Sequence, residues 1–236
     1  MTAFFVIHSD LPREGPGDDE SLNWALSHLT LPRAPRILDA GCGPGADIPG
    51  LLAHRPQARI LALDTHAPFI DRVRARHADD PRVRAGTDDM ARPDGRFDLI
   101  WTAGALYFLG VRAGLQGWRD HLTDECAVIY SELCWTGQPR SDAALAHWAQ
   151  YEAMQDQNGV LADTRAAGFT VLAHRYLPQA AWATYYQPVQ ARIDRLRGTE
   201  PDAELTAALD AEQSEIDLWH AHGNEYGYLQ VVAVPE

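Results

Sequence analysis

Ile37 to Asp47 reads ILDAGCGPGAD, and the rest of the chain is best understood from this stretch outward. Ile37 and Leu38 read as a buried strand. Gly41, Gly43 and Gly45 then supply a turn that can pass close to a ligand, and a helix follows from about Ala46 to His54. Backbone N–H groups at such a turn favour partial negative charge. The glycine spacing alone does not choose a ligand, because Gly41, Gly43 and Ala46 also satisfy the dinucleotide pattern G-x-G-x-x-A. Asp39 separates the two readings. A carboxylate two residues before Gly41 repels a pyrophosphate and attracts the ammonium of a methionine moiety, so Coulomb's law favours S-adenosylmethionine (SAM) over NAD.

Further along, strands alternate with helices. Arg59 to Leu63 (RILAL) is a second strand, followed by a helix from Pro68 to His77; a short third strand starts at Val83. Phe97 to Trp101 (FDLIW) and Ala127 to Tyr130 (AVIY) are the fourth and fifth strands. This order predicts an α/β fold with a parallel sheet covered on both faces. Beyond Pro139 come helices over Ala143 to Met154 and up to Gly168, then a sixth strand from Phe169 to Leu172. Apolar residues recur at helical spacing from Trp182 to Leu196 and from Leu205 to Trp219, and Tyr226 to Val234 is a last strand.

Composition narrows the function. The 236 residues carry a formal net charge of −13, and all 20 basic Lys/Arg positions are Arg. An acidic chain with dispersed Arg lacks the positive face that nucleic acid requires. Cys42, Cys126 and Cys134 are odd in number and lack C-x-x-C spacing, which argues against a disulfide framework or zinc site and for a reducing cytoplasm. No apolar stretch suits a signal peptide or a membrane span. His8, His147, His174, His220 and His222 have no metal-ligand spacing, so they read as surface or core residues and no metal is expected.

Asp64, ending the second strand, can accept hydrogen bonds from two ribose hydroxyls, with Thr65 beside it; the lesser reading is a cap on the next helix. Gly86 to Met90 (GTDDM) follows the third strand. Asp88 or Asp89 can accept from an adenine amino group while Met90 packs on the ring, or the two acids can simply be solvated. After the fourth strand come Thr102 and Tyr107, and after the fifth Glu132 and Trp135. Trp182, Tyr185 and Tyr186 share a helix. Tyr107, Trp135, Trp182, Tyr185 and Tyr186 are candidates to line an acceptor pocket, although aromatics at this spacing are often simply core. Tyr107 and Glu132 are the candidate catalytic groups.

With these residues placed, the chain resembles the class I SAM-dependent methyltransferases, nearest to the small-molecule branch of ubiquinone/menaquinone-type, methyltransferase type 11-like enzymes. ILDAGCGPG is similar to the family's first motif, LALD (Leu61 to Asp64) to its second, GTDDM to its third and RFDLIWTAGALYFLG (Arg96 to Gly110) to its fourth. REGPGD (Arg13 to Asp18), SELCW (Ser131 to Trp135), LPQAAWATYYQP (Leu177 to Pro188) and YGYLQVVAV resemble a narrower subgroup, whose members often carry an acid where this chain has Ala103. The resemblance implies one Rossmann-like domain over residues 1–236. Its seven-stranded, mostly parallel sheet would have an antiparallel last strand, with helical lid segments at about 137–168 and 178–222. It implies SAM as cofactor, S-adenosylhomocysteine as product, and cofactor contacts from Asp39, Gly41, Cys42, Gly43, Gly45, Asp64, Thr65, Asp88, Asp89, Met90 and Thr102. A small-molecule acceptor is expected, with no nucleic acid or membrane partner and a homodimer left open. The competing readings are a non-catalytic SAM-binding module and an NAD-dependent oxidoreductase.

Overall fold

A computed structural model describes residues 2–151 and 154–236. The alternation seen in the sequence becomes β1 (Arg36–Ala40), α3 (Ile48–His54), β2 (Arg59–Asp64), α4 (Ala67–Arg76), β3 (Val83–Thr87) and β4 (Phe97–Ala103). Ahead of them lie α1 (Ala3–His8) and α2 (Asp19–Ser27). After β4 come α5 (Val111–Trp118), β5 (Leu122–Trp135), α6 (Asp142–Trp148), α7 (Gln157–Ala166) and β6 (Phe169–Tyr176). The chain closes with α8 (Gln179–Arg197), α9 (Ala203–His222) and β7 (Tyr226–Pro235).

The sheet order is β3-β2-β1-β4-β5-β7-β6. β1 to β5 pair in parallel, and β7 runs antiparallel to both β5 and β6, as expected from the sequence. Side chains alternate across the sheet with a period of two. Ile37, Leu99, Trp101 and Ile129 enter the core under α2, α3 and α4. Leu38, Ile100, Val128 and Tyr130 enter the core under α5 and α7, where Trp118 is fully buried. Burying such a side chain contributes about 2–3 kcal/mol. A third apolar cluster joins α1, α6, α8 and α9 to Leu133, Trp135 and Tyr226 at the C-terminal edge of the sheet.

Three elements depart from the sequence reading. β5 has 14 residues rather than four: it starts at Leu122, paired with Phe97 of β4, and β7 carries the pairing on from Glu132 to Trp135 after β4 has ended. The helix read over Ala143 to Met154 ends at Trp148, and residues 152 and 153 of that stretch lie outside the described residues. The segment 137–168 is not all lid: α7 buries Val160, Leu161 and Thr164 against the sheet, with the Thr164 hydroxyl 2.5 Å from that of Tyr130. A helix that closes a β-crossover must bury its apolar stripe on the sheet, and α7 does this. Among the described residues no helix is long and apolar enough to cross a membrane.

This topology places the site. Strand order reverses between β1 and β4, so a crevice opens beyond their C-terminal ends, where parallel α/β sheets bind ligands.

Candidate functional site

A cleft of about 580 Å³ opens at that point, within the range usual for small-molecule sites. Its floor is the glycine turn. Gly41 and Gly43 have φ of +68° and +51°, a conformation costly for any residue with a side chain. A Cβ on Gly41 would also clash with that of Ala105 and lie 3.3 Å from the Met90 sulfur. The turn is tied down by Cys42 N–H donating to Leu63 O (2.9 Å) and Gly43 N–H donating to Asp64 Oδ2 (2.9 Å).

Asp39 lies beneath this turn, 3% exposed, and its Oδ2 has no hydrogen-bond partner among the described residues. Burial pushes its pKa well up, the negative charges of Asp47 and Asp64 push it further, and Arg13 pulls the other way. An unpartnered buried carboxylate costs several kcal/mol unless a cation or donor meets it. Asp39 thus offers the cleft a buried carboxyl group that the protein itself leaves unmatched.

The carboxylate of Asp64 accepts from Gly43 N–H and, through Oδ1, from His66 N–H at 2.8 Å. It thus makes the turn-capping contact while also facing the cleft. Thr65, Asp88, Asp89 and Met90 line the same end. The Met90 carbonyl is anchored by Trp118 Nε1 at 2.8 Å, which fixes the thioether under the cleft. Asp88 accepts from Asp89 N–H and Asp89 from Ala91 N–H, both at 2.8 Å, so the loop is folded by its own acids.

The N-terminal segment forms a wall in which Phe4 and Phe5, part of no sequence motif, join Arg13 and Glu14 of REGPGD. Phe5 stacks on His66 with centroids 3.8 Å apart, and Phe4 and Phe69 lie beside the pair. Arg13 donates to the carbonyls of Gly15 and Gly17 and to Asp47 Oδ1 (3.1 Å). Asp47 also accepts from Trp101 Nε1 at 2.9 Å. Glu14 lines the cleft and accepts from His8, which lies between Glu14 (2.7 Å) and Glu212 (3.4 Å). An isolated apolar run such as Phe4 to Ile7 carries no periodicity that would announce a cleft wall.

Ala103 to Leu109 forms the second wall, Ala105 abutting Gly41 of the turn, with Tyr107 in it. The Tyr107 ring meets that of Tyr151 edge-on at 5.5 Å, and the Tyr151 hydroxyl donates to Glu132 Oε1 at 2.8 Å. Burial lifts the Glu132 pKa to about 7 against the lowering effect of that bond, and the Tyr107 hydroxyl is pushed up to about 12 by burial and by Glu132.

Some sequence candidates lie elsewhere. Gly45 faces Val73 and Ile48 rather than the cleft, so its role is to let α4 pack. Thr102, one strand residue too early, points into a small crevice with Ser131 and Gln230. Trp135, Trp182, Tyr185 and Tyr186 belong to the apolar cluster of the capping helices; Arg140 covers Trp135 at 4.7 Å, and Trp182 stacks with Tyr186 and Trp219. The helical spacing of Trp182, Tyr185 and Tyr186 on α8 reflects helix-to-helix packing. Among the described residues, no group of three or more His, Cys, Asp or Glu is arranged to hold a metal.

Comparison with known proteins agrees with this geometry. Residues 38–128 match the family model described as a methyltransferase domain. The malonyl-[acyl-carrier protein] O-methyltransferase of Enterobacter lignolyticus is 28% identical over 128 residues, covering 53% of this chain and 43% of that protein. The trans-aconitate 2-methyltransferase of Deinococcus radiodurans is 32% identical over 81 residues, covering 34% and 31%. The chain thus spans less than half the length of these two relatives. A SAM-dependent methyltransferase from Geobacter sulfurreducens, crystallised with S-adenosylhomocysteine, superposes with a TM-score of 0.85 at 20% identity, over 99% of this chain and 98% of that one. The chain shares its fold with that SAM-dependent methyltransferase, and residues 38–128 match the methyltransferase-domain model.

Proposed function

We propose that the protein is an enzyme that transfers the methyl group of SAM to a small molecule. The observation that carries this reading is the buried Asp39 carboxylate, whose unpartnered oxygen lies beneath a glycine turn at the switch point of the sheet. It suits an ammonium and opposes a diphosphate. The NAD alternative is further disfavoured by the match to a methyltransferase domain.

Asp39 receives the amino group of the cofactor, and the Gly41 to Gly43 backbone makes room for its methionine arm. Asp64 accepts from the ribose hydroxyls, Asp88 or Asp89 from the adenine amine, and Met90 packs on the ring. Bound there, SAM supplies an electrophilic methyl carbon on a sulfonium. The protein's part is to hold the acceptor in line with that carbon and exclude water. Such positioning can lower the barrier by roughly 7–11 kcal/mol. The wall containing Gly104 and Tyr107 faces the acceptor. An active acceptor wall separates this reading from a non-catalytic SAM-binding module. Three cysteines, free in the structure, accord with a cytoplasmic location.

Titration calorimetry with S-adenosylhomocysteine tests the reading. Asp39→Asn should weaken binding at least tenfold, about 1.4 kcal/mol or more, with the fold intact by circular dichroism. An unchanged dissociation constant would remove Asp39 from the role given to it.

A further inference from the structure

We infer that the methyl acceptor is an amine on an apolar stem, whose cationic nitrogen is received by Glu132 inside a cage of Tyr107, Tyr151 and Tyr228. The inference rests on the methyl-transfer reading above and concerns the other side of the same site.

Glu132 is set at the acceptor end by register. Ala103 pairs with Ser131, so Gly104, which lines the cleft, is level with Glu132 on the neighbouring strand. Glu132 is 7% exposed. One carboxylate oxygen is taken by the Tyr151 hydroxyl, and Oε2 has no partner among the described residues. The three tyrosines come from separate elements. Tyr107 lies on the cleft wall after β4, Tyr151 follows α6, and Tyr228 on β7 packs on Gly104, its ring 3.3 Å from where a Cβ would stand. Burial raises the pKa of all three phenols, so they remain neutral rings at working pH. Tyr151 gives its hydroxyl to the carboxylate and meets Tyr107 edge-on, so neutral phenol rings adjoin a carboxylate with one open oxygen, a setting that suits an ammonium.

Charge excludes the opposite class. Among the described residues lining the cleft, Arg13 is the only Arg, and its donors are already taken by two carbonyls and Asp47. His66 is stacked on Phe5. Among the described lining residues no free cation is left to hold a carboxylate or phosphate, and every charged group besides Arg13 is an acid or His66. The two named curated relatives match this chain only in part, so their acceptors do not bear on this wall.

The chemistry balances. The ammonium gives one proton to Glu132 Oε2, and the freed lone pair forms the N–C bond to the methyl carbon. The C–S bonding pair leaves to sulfur, so the positive charge passes from sulfur to the methylated nitrogen. A carboxyl group with a pKa near 7 is placed to take that proton at neutral pH.

The test is calorimetry in two stages on the whole protein. S-adenosylhomocysteine is titrated first, and a failure there removes the parent reading by itself. The saturated protein is then titrated with phenethylamine, 3-phenylpropanol and 3-phenylpropanoate at mildly alkaline pH. Phenethylamine should bind at least tenfold tighter than the alcohol or the acid. Glu132→Gln should lose at least tenfold in amine affinity with alcohol and S-adenosylhomocysteine affinities unchanged. Equal binding of alcohol or acid, no measurable amine binding, or an indifferent Glu132→Gln would overturn the inference. The three-ligand comparison on the unaltered protein holds even if the variant fails to fold.

Discussion

Replacing Glu132 with Gln should stabilise the ligand-free protein in neutral and alkaline solution, and by an amount that depends on pH in a defined way. The carboxyl titrates at 4.5 when the chain is unfolded and at about 7 in the fold, because burial penalises its charge more than the Tyr151 hydroxyl relieves it. Between those values the native state holds a proton that the unfolded state has released, so stability falls as pH rises. Below 4.5 there is no penalty, and above 7 it is complete. At 1.36 kcal/mol per pH unit the full penalty is about 3 kcal/mol, an upper figure for a group in a cleft. Gln carries no charge, and its amide oxygen still accepts from Tyr151. For a chain of this size, the variant should melt roughly 5–10 °C above the parent at pH 8, with the gap closing towards pH 4. Differential scanning calorimetry across that range measures it. A variant no more stable than the parent at pH 8, or an offset independent of pH, would refute the claim that Glu132 is a buried, under-compensated carboxylate.

Two further perturbations reach other parts of the site. Gly41→Ala must place a Cβ against Ala105 at a φ of +68°, so S-adenosylhomocysteine affinity should fall more than tenfold with a lower melting temperature; an unaffected affinity would mean the turn is not the floor of the ligand site. His8 behaves with the opposite sign from Glu132: burial lowers its pKa, but hydrogen bonds and charge from Glu14 and Glu212 outweigh this and hold it near 9. Its contribution is complete below 6.5 and lost as pH rises through 9. Melting temperature should therefore drop over that window in the parent and stay flatter in His8→Asn; parallel profiles would contradict the bridge.

The sheet was legible because parallel strands buried on both faces give short apolar runs such as RILAL and FDLIW, and glycine turns punctuate them. The glycine turn and its neighbours on the cleft were legible for the same reason: Asp39 and Asp64 lie at the C-terminal ends of β1 and β2, and Asp88 and Met90 just beyond β3, where local sequence fixes position. Tyr107 and Glu132 were singled out as well, but the pairing that brings them together was not legible. Glu132 reaches Tyr151 and Tyr107 only because β7 extends β5 beyond its partner β4, a pairing formed over about 100 residues of chain. Arg13 was visible as a motif, but its consumption by Asp47 was not. Aromatic spacing at Trp182, Tyr185 and Tyr186 marked a helix correctly and misplaced its purpose, since packing on another helix and lining a pocket leave the same pattern.

The most direct test is a crystal structure with S-adenosylhomocysteine bound. The amino group should lie within hydrogen-bond distance of the Asp39 carboxylate, with the ribose on Asp64 and the sulfur turned towards Tyr107. A ligand whose amino group sits away from Asp39, or a crevice that instead takes the phosphates of a dinucleotide, would contradict the account.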